Sequence, residues 1–293
     1  MIKQTTLALA VAVAPLTAFA VESQLSGNLQ VQGAYGADSS DESERWLVET
    51  PNSWLGVSVS EGLPGSRFNG VWQFELDGLA EEPEARTRQM YLEWQLPLYQ
   101  VRAGRVETLE SLYVVRPVSM LNGQAGGGSA SGAYVNAFAP RAFQLEVSDG
   151  DFAFASLELG LGALGEEATI DQWALAGGLD TPEGQLVLSY RSTEVEDDDG
   201  LWGFSVNWFQ DGFLLAYSHL YQSDTVAWDV AATYQAGSVV SKLMYSRDAV
   251  TDVGTWSLGF DQRFSPSLRH YSEARWQSED GLWLFQTGFR LSF

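Results

Sequence analysis

The sequence predicts an all-β protein: a transmembrane antiparallel β-barrel of about sixteen strands with an inward-folded third loop. Three observations carry this reading. The chain ends on a strand with one aromatic face, it begins with a secretory leader, and between them segments of about ten residues alternate in polarity between turn residues.

In residues 281–293 (GLWLFQTGFRLSF), Trp283, Phe285, Phe289, Leu291 and Phe293 fall on alternate positions, with Gln286, Gly288, Arg290 and Ser292 between them. Successive strand side chains point to opposite faces. A barrel in lipid needs this pattern, because hydrocarbon touches its outside and water its inside. The alternative is the last strand of a soluble sandwich. At the other end, residues 1–20 carry Lys3, an apolar run from Leu7 to Ala14, and Ala18-Phe19-Ala20. That is a signal peptide with an A-x-A cleavage site, and its apolar run is too short to span a bilayer as a helix. Residues 21–293 are then the barrel domain. No later segment reaches 18 apolar residues without charge, so no transmembrane helix is expected.

Composition narrows the chemistry. There is no cysteine, which excludes a disulfide scaffold and thiolate catalysis. Two histidines, His219 and His270, argue against a histidine-based metal site. The net charge of −22 repels phosphates and argues against nucleic acid as a partner. With 45% hydrophobic residues and 11 Trp, this charge does not signal disorder. The acids cluster at 38–44, 81–84, 166–167, 194–199 and 279–280, between the alternating runs, and read as solvated loops.

Taken in order, the strands fall at 23–35, 45–60, 66–77, 86–96, 99–106, 133–148, 151–161, 170–180, 184–193, 200–210, 212–222, 224–235, 238–248, 253–264, 267–277 and 281–293. Several split cleanly. Phe68, Trp72, Phe74 and Leu76 oppose Asn69, Gln73, Glu75 and Asp77; Trp202, Phe204, Val206 and Trp208 oppose Gly203, Ser205 and Asn207. Trp228 and Val230 oppose Asp229, while Trp256, Leu258 and Phe260 oppose Asp261 and Arg263. Tight turns fit at 61–65, Pro97, Asp149-Gly150, 181–184, Asp211-Gly212, 236–238 and 265–267, and the acidic loops alternate with them. Short turns on one side and longer polar loops on the other are the barrel arrangement. Residues 107–132 are different. This long connection carries Leu109, Leu112, Val114, Val115, Met120 and Leu121, which need burial, and a barrel this wide can take them inside. The alternative is a Gly-rich surface loop, since 126–128 and 129–132 are permissive backbone.

Residues 52–78 (NSWLGVSVSEGLPGSRFNGVWQFELDG) resemble the second hairpin of the Gram-negative general porins, in which a strand of the type R-x-G-[FV]-x-[GV] meets a glycine turn and a strand closing on Gln-Phe-Glu. Residues 86–109 (RTRQMYLEWQLPLYQVRAGRVETL) resemble the next hairpin, including Gly104-Arg105 before the third loop, and Phe293 completes the pattern. The resemblance implies an outer-membrane, homotrimeric, water-filled channel for passive diffusion of small hydrophilic solutes. It implies trimer contacts through 23–106 and the last strand, and a terminal Phe293 that is part of the signal read by the barrel-assembly machinery. It makes Arg88 a wall arginine. The chain departs from the family in having Trp54 where an arginine is usual, and a loop tip, 122–128, without a carboxylate.

On this reading the pore constriction is expected at Arg88, Arg102, Arg105, Glu107, Glu110, Tyr113 and Arg116. The lumen wall is expected to carry Glu75, Asp77, Asp229, Asp261, Arg263, Arg275 and Arg290. Arg88 shares sequence parity with Met90, Leu92 and Trp94, which read as lipid-facing, so its direction conflicts with its expected role. The acidic loops predict a modest cation preference that fades with salt, and Ca²⁺ or Mg²⁺ held between those loops and lipopolysaccharide. No cofactor is otherwise expected. Two other functions are possible from the residues. Trp54, Tyr91 and Tyr113 suit a sugar-selective channel. A barrel enzyme needs a base beside a nucleophile, and Ser218 and His219, adjacent in a strand, point to opposite faces.

Overall fold

The computed structural model describes residues 21–37, 45–77, 84–122, 129–150, 152–161, 170–192, 200–223, 225–278, 281 and 283–293. The expected signal peptide and most of the acidic loop residues lie outside them. Among the described residues there are seventeen strands: β1 (Val21–Ala37), β2 (Arg45–Glu49), β3 (Trp54–Leu63), β4 (Ser66–Asp77), β5 (Glu84–Gln95), β6 (Tyr99–Glu107), β7 (Phe138–Ser148), β8 (Ala153–Leu161), β9 (Ile170–Thr181), β10 (Gly184–Ser192), β11 (Leu201–Gln210), β12 (Phe213–Gln222), β13 (Thr225–Ala236), β14 (Val239–Asp248), β15 (Val253–Arg263), β16 (Leu268–Gln277) and β17 (Trp283–Ser292). From β3 onward each strand pairs antiparallel with the next, and β17 returns to β1 with Asn28 opposite Ser292 and Ala37 opposite Trp283. The sheet is therefore a closed barrel.

The expected strand 45–60 is two strands. β2 pairs with Gln32–Gly36 of β1 and β3 with Val21–Asn28, so both occupy one stave of a sixteen-stave wall. The break falls at Asn52, whose φ is 53°, a left-handed conformation that Asn tolerates. Ser53 mends the ladder across it. Its Oγ accepts from the Gln30 amide at 3.0 Å and donates to the Gln30 carbonyl at 3.2 Å. The expected strand 133–148 starts later, at Phe138, because Ala130–Ala133 forms a helical turn.

Alternation sorts the wall as the composition demands. Leu29, Val31, Trp72, Leu92, Phe260 and Phe289 stand exposed on the outside, while Asn28, Gln30, Gln32, Gln144, Ser205 and Gln286 are buried on the inside. Two bulges shift the phase on either side of the β5–β6 hairpin. Between β4 and β5 the register moves from Gln73–Gln89 to Phe74–Thr87, so Arg88 is an extra residue. The shift lets Arg88 face inward while Met90, Leu92 and Trp94 face outward, which resolves the parity conflict. Between β6 and β7 the register moves from Gly104–Ala142 to Val106–Ala139. Pro140, which cannot donate to a ladder, falls in this gap. Gly104 has φ +136°, and a Cβ there would strike the Met90 carbonyl.

At the closing seam, Gly27 N donates to Phe293 O at 2.8 Å and Phe293 N to Gly27 O at 3.1 Å. The Phe293 ring lies over Gly27, and a Cβ at Gly27 would meet its Cζ at 2.6 Å.

Gly104→Ala is expected to destabilise the barrel by about 1–3 kcal/mol, through a backbone conformation that side chains rarely adopt and contact with β5. A denaturant midpoint equal to wild type would contradict this. Gly27→Val should displace the Phe293 ring and lower the temperature at which the barrel loses its folded mobility on gels. The expected loss is about 1–3 kcal/mol, as for overpacking elsewhere.

Candidate functional site

The lumen is occupied in part by the connection from β6 to β7. Its base is clipped shut: Thr108 N donates to Ala137 O at 3.1 Å and Thr108 Oγ1 to Asn136 O at 2.7 Å. A π-helical turn, Ser111–Val115, follows. Apolar side chains of this segment pack on inward-facing wall residues, alanine prominent among them. Leu109 and Tyr113 meet Ala174, Ala176 and Val187; Val114 meets Leu201 and Leu220; Val118 and Leu121 meet Ala216, Ala231 and Met244. Alanine at inward positions of β9, β12 and β13 makes the room. That run of small residues is the sequence signal for the docking wall, and reading strand by strand misses it.

Three polar clasps hold the segment. In the first, Arg191 of β10 donates from Nη2 to Glu110 Oε2 and to Glu158 Oε1, each at 2.6 Å, and both carboxylates are fully buried. Burial pushes the Glu110 carboxyl above its ordinary value, and the Arg191 charge opposes that rise only in part. In the second, the amides of Ala130 and Ser131 donate to the two oxygens of Asp229, at 2.9 and 3.0 Å. In the third, Asn122 joins both sides of the seam. Its amide donates to Glu273 Oε1 at 2.6 Å and its Nδ2 to Asp261 Oδ1 at 2.8 Å. Its carbonyl accepts from Gln30 Nε2 at 2.7 Å, and its Oδ1 from Arg290 Nη1 at 3.3 Å. Lys242, 2.8 Å from Asp261 and 3.7 Å from Glu273, neutralises that cluster. Arg191, Glu158, Lys242, Glu273 and Asn122 were not among the expected site residues. Their partners lie far away in sequence, and only closure of the barrel brings them together.

The expected constriction residues divide. Arg88 stands over the rings of Trp54 and Phe138, at 5.9 and 5.6 Å from their centroids. Arg105 Nε donates to the Arg88 carbonyl at 3.0 Å, and its guanidinium is 5.7 Å from the Phe138 centroid. Arg102 pairs with Glu93 at 2.8 Å. Glu107 accepts from Ser111 Oγ at 3.0 Å and lies 3.9 Å from Arg116, which is largely exposed. Glu110 and Tyr113 are both buried, Glu110 under Arg191 and Tyr113 with its hydroxyl donating to Glu146 at 2.8 Å, so both fasten the segment to the wall.

Among the wall residues, Glu75 lies opposite Trp54 and Arg86 in the ladder. The Asp77 side chain is outside the description. Asp229 and Asp261 face inward and are buried under the clasps. Arg275 is half-buried, Arg263 is exposed at the turn end, and Arg290 donates from Nε to Asn28 Oδ1 at 2.6 Å. Phe293 is on the outer face. The expected Ca²⁺ or Mg²⁺ sites fall in the acidic clusters, outside the described residues. Ser218 bonds Asp229 inside the barrel at 3.2 Å, whereas His219 lies outside with Nδ1 3.1 Å from Tyr217 Oη. The two share no face on which to act together.

No family model and no curated protein matches the chain. Solved structures do. An anion-selective porin from Comamonas acidovorans superposes with a TM-score of 0.73 at 15% identity, over 93% of this chain and 100% of that one. OmpT, an outer-membrane protein of Vibrio cholerae, gives 0.71 at 13% identity over 96% and 100%. A variant of the Rh. blastica porin gives 0.69 at 11% identity over 93% and 100%. At such identities the likeness is one of fold: this chain has the sixteen-stave barrel fold of the bacterial porins.

Proposed function

We propose that the chain is an outer-membrane porin that lets small hydrophilic solutes and ions diffuse passively through its lumen. One observation carries the proposal. A segment rooted at β6 crosses to the seam between β1 and β17 and is tied there through Asn122. Such a tether narrows an aqueous lumen without filling it. The porin fold of the structural neighbours and the two-sided strands support the reading. In it, the short turns and Phe293 face the periplasm, and the acidic loops face outward toward lipopolysaccharide, with Ca²⁺ or Mg²⁺ between them. Homotrimer formation and reading of Phe293 by the barrel-assembly machinery complete the proposal.

Ion preference depends on two layers of charge. The external acids favour cations modestly and only at low salt. Inside, most carboxylates are matched: Glu93 by Arg102, Glu110 and Glu158 by Arg191, Asp261 and Glu273 by Lys242 and Arg269. Arg88 lies within electrostatic reach of Glu75, Glu107 and Arg116, and Arg290 of Arg88, Arg269 and Asp261. The lumen sets the narrowest path, so these arginines offset the cation preference that composition suggests. A solute-selective channel is a second reading, favoured by Trp54, which faces the lumen beneath Arg88.

Purified protein in a planar bilayer should open stepwise ohmic channels, and a barrel that folds yet carries no current would refute the reading. In a KCl gradient the reversal potential should be near zero or tend toward anions; strong cation preference would return control to the external acids. Arg191→Gln leaves two buried carboxylates unpaired and is expected to destabilise the protein by about 3–5 kcal/mol. Adding Glu110→Gln and Glu158→Gln should recover much of that loss. Removing residues 124–131 should raise conductance; an unchanged value in a folded barrel would place the segment off the solute path. Removing Phe293 should lower the yield of assembled barrel in the outer membrane, and normal yield counts against its role as a signal.

A further inference from the structure

Three arginines stand side by side on the lumen face of consecutive strands. Arg263 of β15 is the ladder partner of Arg269 of β16, and Arg269 is the partner of Arg290 of β17. Like charges directly opposite one another weaken a sheet. A wall free to vary would separate them unless something anionic compensates.

Among the described residues, only Arg269 of the three has a carboxylate within ion-pair distance. Asp261 lies 3.5 Å from Arg269, but it is also bound to Lys242 at 2.8 Å, and its neighbour Glu273 shares the same lysine. Those two acids and two bases balance. The Arg290 hydrogen bonds are to neutral amides, Asn28 Oδ1 at 2.6 Å and Asn122 Oδ1 at 3.3 Å, which aim the guanidinium without cancelling its charge. Arg290 in turn lies within electrostatic reach of Arg88 and Arg269 and, on the acidic side, of the Asp261 already shared by Lys242 and Arg269; Arg88 lies within reach of Arg116. The carboxylates near Arg88 are Glu75 and Glu107. A belt of guanidiniums thus runs from the turn-end rim at Arg263, past the tethered tip at Asn122, to the wall beneath the crossing segment. Its members reach the lumen, since the Arg269 side chain is 29% exposed and Arg263 is exposed.

We propose that the row Arg263, Arg269 and Arg290 is a binding site for small oxyanions, carboxylate or phosphate, that pass through the lumen. The assignment rests on the channel reading and names its preferred solute class. A guanidinium presents paired N–H groups that match two oxygens of such an anion. Neighbouring guanidiniums with Asn28 and Asn122 between them offer successive stations, and the belt would draw anions toward the narrow section. Because water fills the lumen, binding should be weak and salt-sensitive, as passage requires.

The test is a planar-bilayer recording in KCl with inorganic phosphate, acetate or succinate added. Phosphate or succinate should reduce the chloride current saturably, at millimolar concentration, and less so as KCl rises. Arg290→Gln should weaken that block at least fivefold, and Arg290→Lys, which keeps the charge but loses the fork, should fall between. If Arg290→Gln does not yield a folded barrel, Arg269→Gln carries the same comparison. Block by phosphate alone, or by carboxylates alone, supports the site and narrows its ligand. Current that none of these anions alters, or block equal in wild type and variant, overturns the site while leaving the channel reading intact. Complete lack of KCl conductance in a folded barrel overturns both.

Discussion

In a hydrocarbon surrounding, a backbone N–H or carbonyl that leaves its ladder has nothing else to bond. On the proposed membrane reading, that requirement governs this wall more than any side chain does. It explains why β17 must return to β1, and why the break at Asn52 is repaired by a serine hydroxyl rather than left open. It also explains why Pro140 falls in a register gap, where no ladder hydrogen bond is lost. Each local irregularity is tolerated only where another group takes over the lost pairing.

Closure then creates the interior in which the crossing segment is held. Its apolar residues fit because the facing strands present alanine, and its ends are fixed because the same wall presents Arg191, Asp229, Asp261 and Glu273. The clasps differ in kind. Asp229 receives backbone amides from the segment, so what it holds there is the path of the chain, while Ser218 of the wall donates to the same carboxylate. Arg191 bridges two carboxylates that burial would otherwise disfavour as ions. Asn122 uses its amide, carbonyl and side chain at once, which ties the tip to strands on both sides of the seam.

Much of this was legible from alternation alone. The outward aromatic face of β17, the inward Asn207 and the opposite faces of Ser218 and His219 follow from a period of two, and the structure shows each. What alternation cannot carry is a change of phase. Arg88 reads as lipid-facing because the bulge that turns it inward belongs to the pairing of β4 with β5, and no residue of β5 announces it. The division at Asn52 had a local cue, Pro51-Asn52 before a serine, that a long apolar run obscured. Glu110 and Tyr113 read as pore residues because their chemistry suits water. Their burial depends on Arg191 and Glu146, whose proximity no spacing in the chain reveals.

The rung between Gly27 and Phe293 joins residues 266 positions apart, near the two ends of the domain. No partial chain can form it. Until β17 is available, β1 and the latest strand each present an unpaired edge, and such edges invite pairing with other chains. Local hairpins can form early, but the entropy of bringing the ends together is met only in the last step. The phenyl ring over Gly27 therefore sits on the rung at which the cylinder closes.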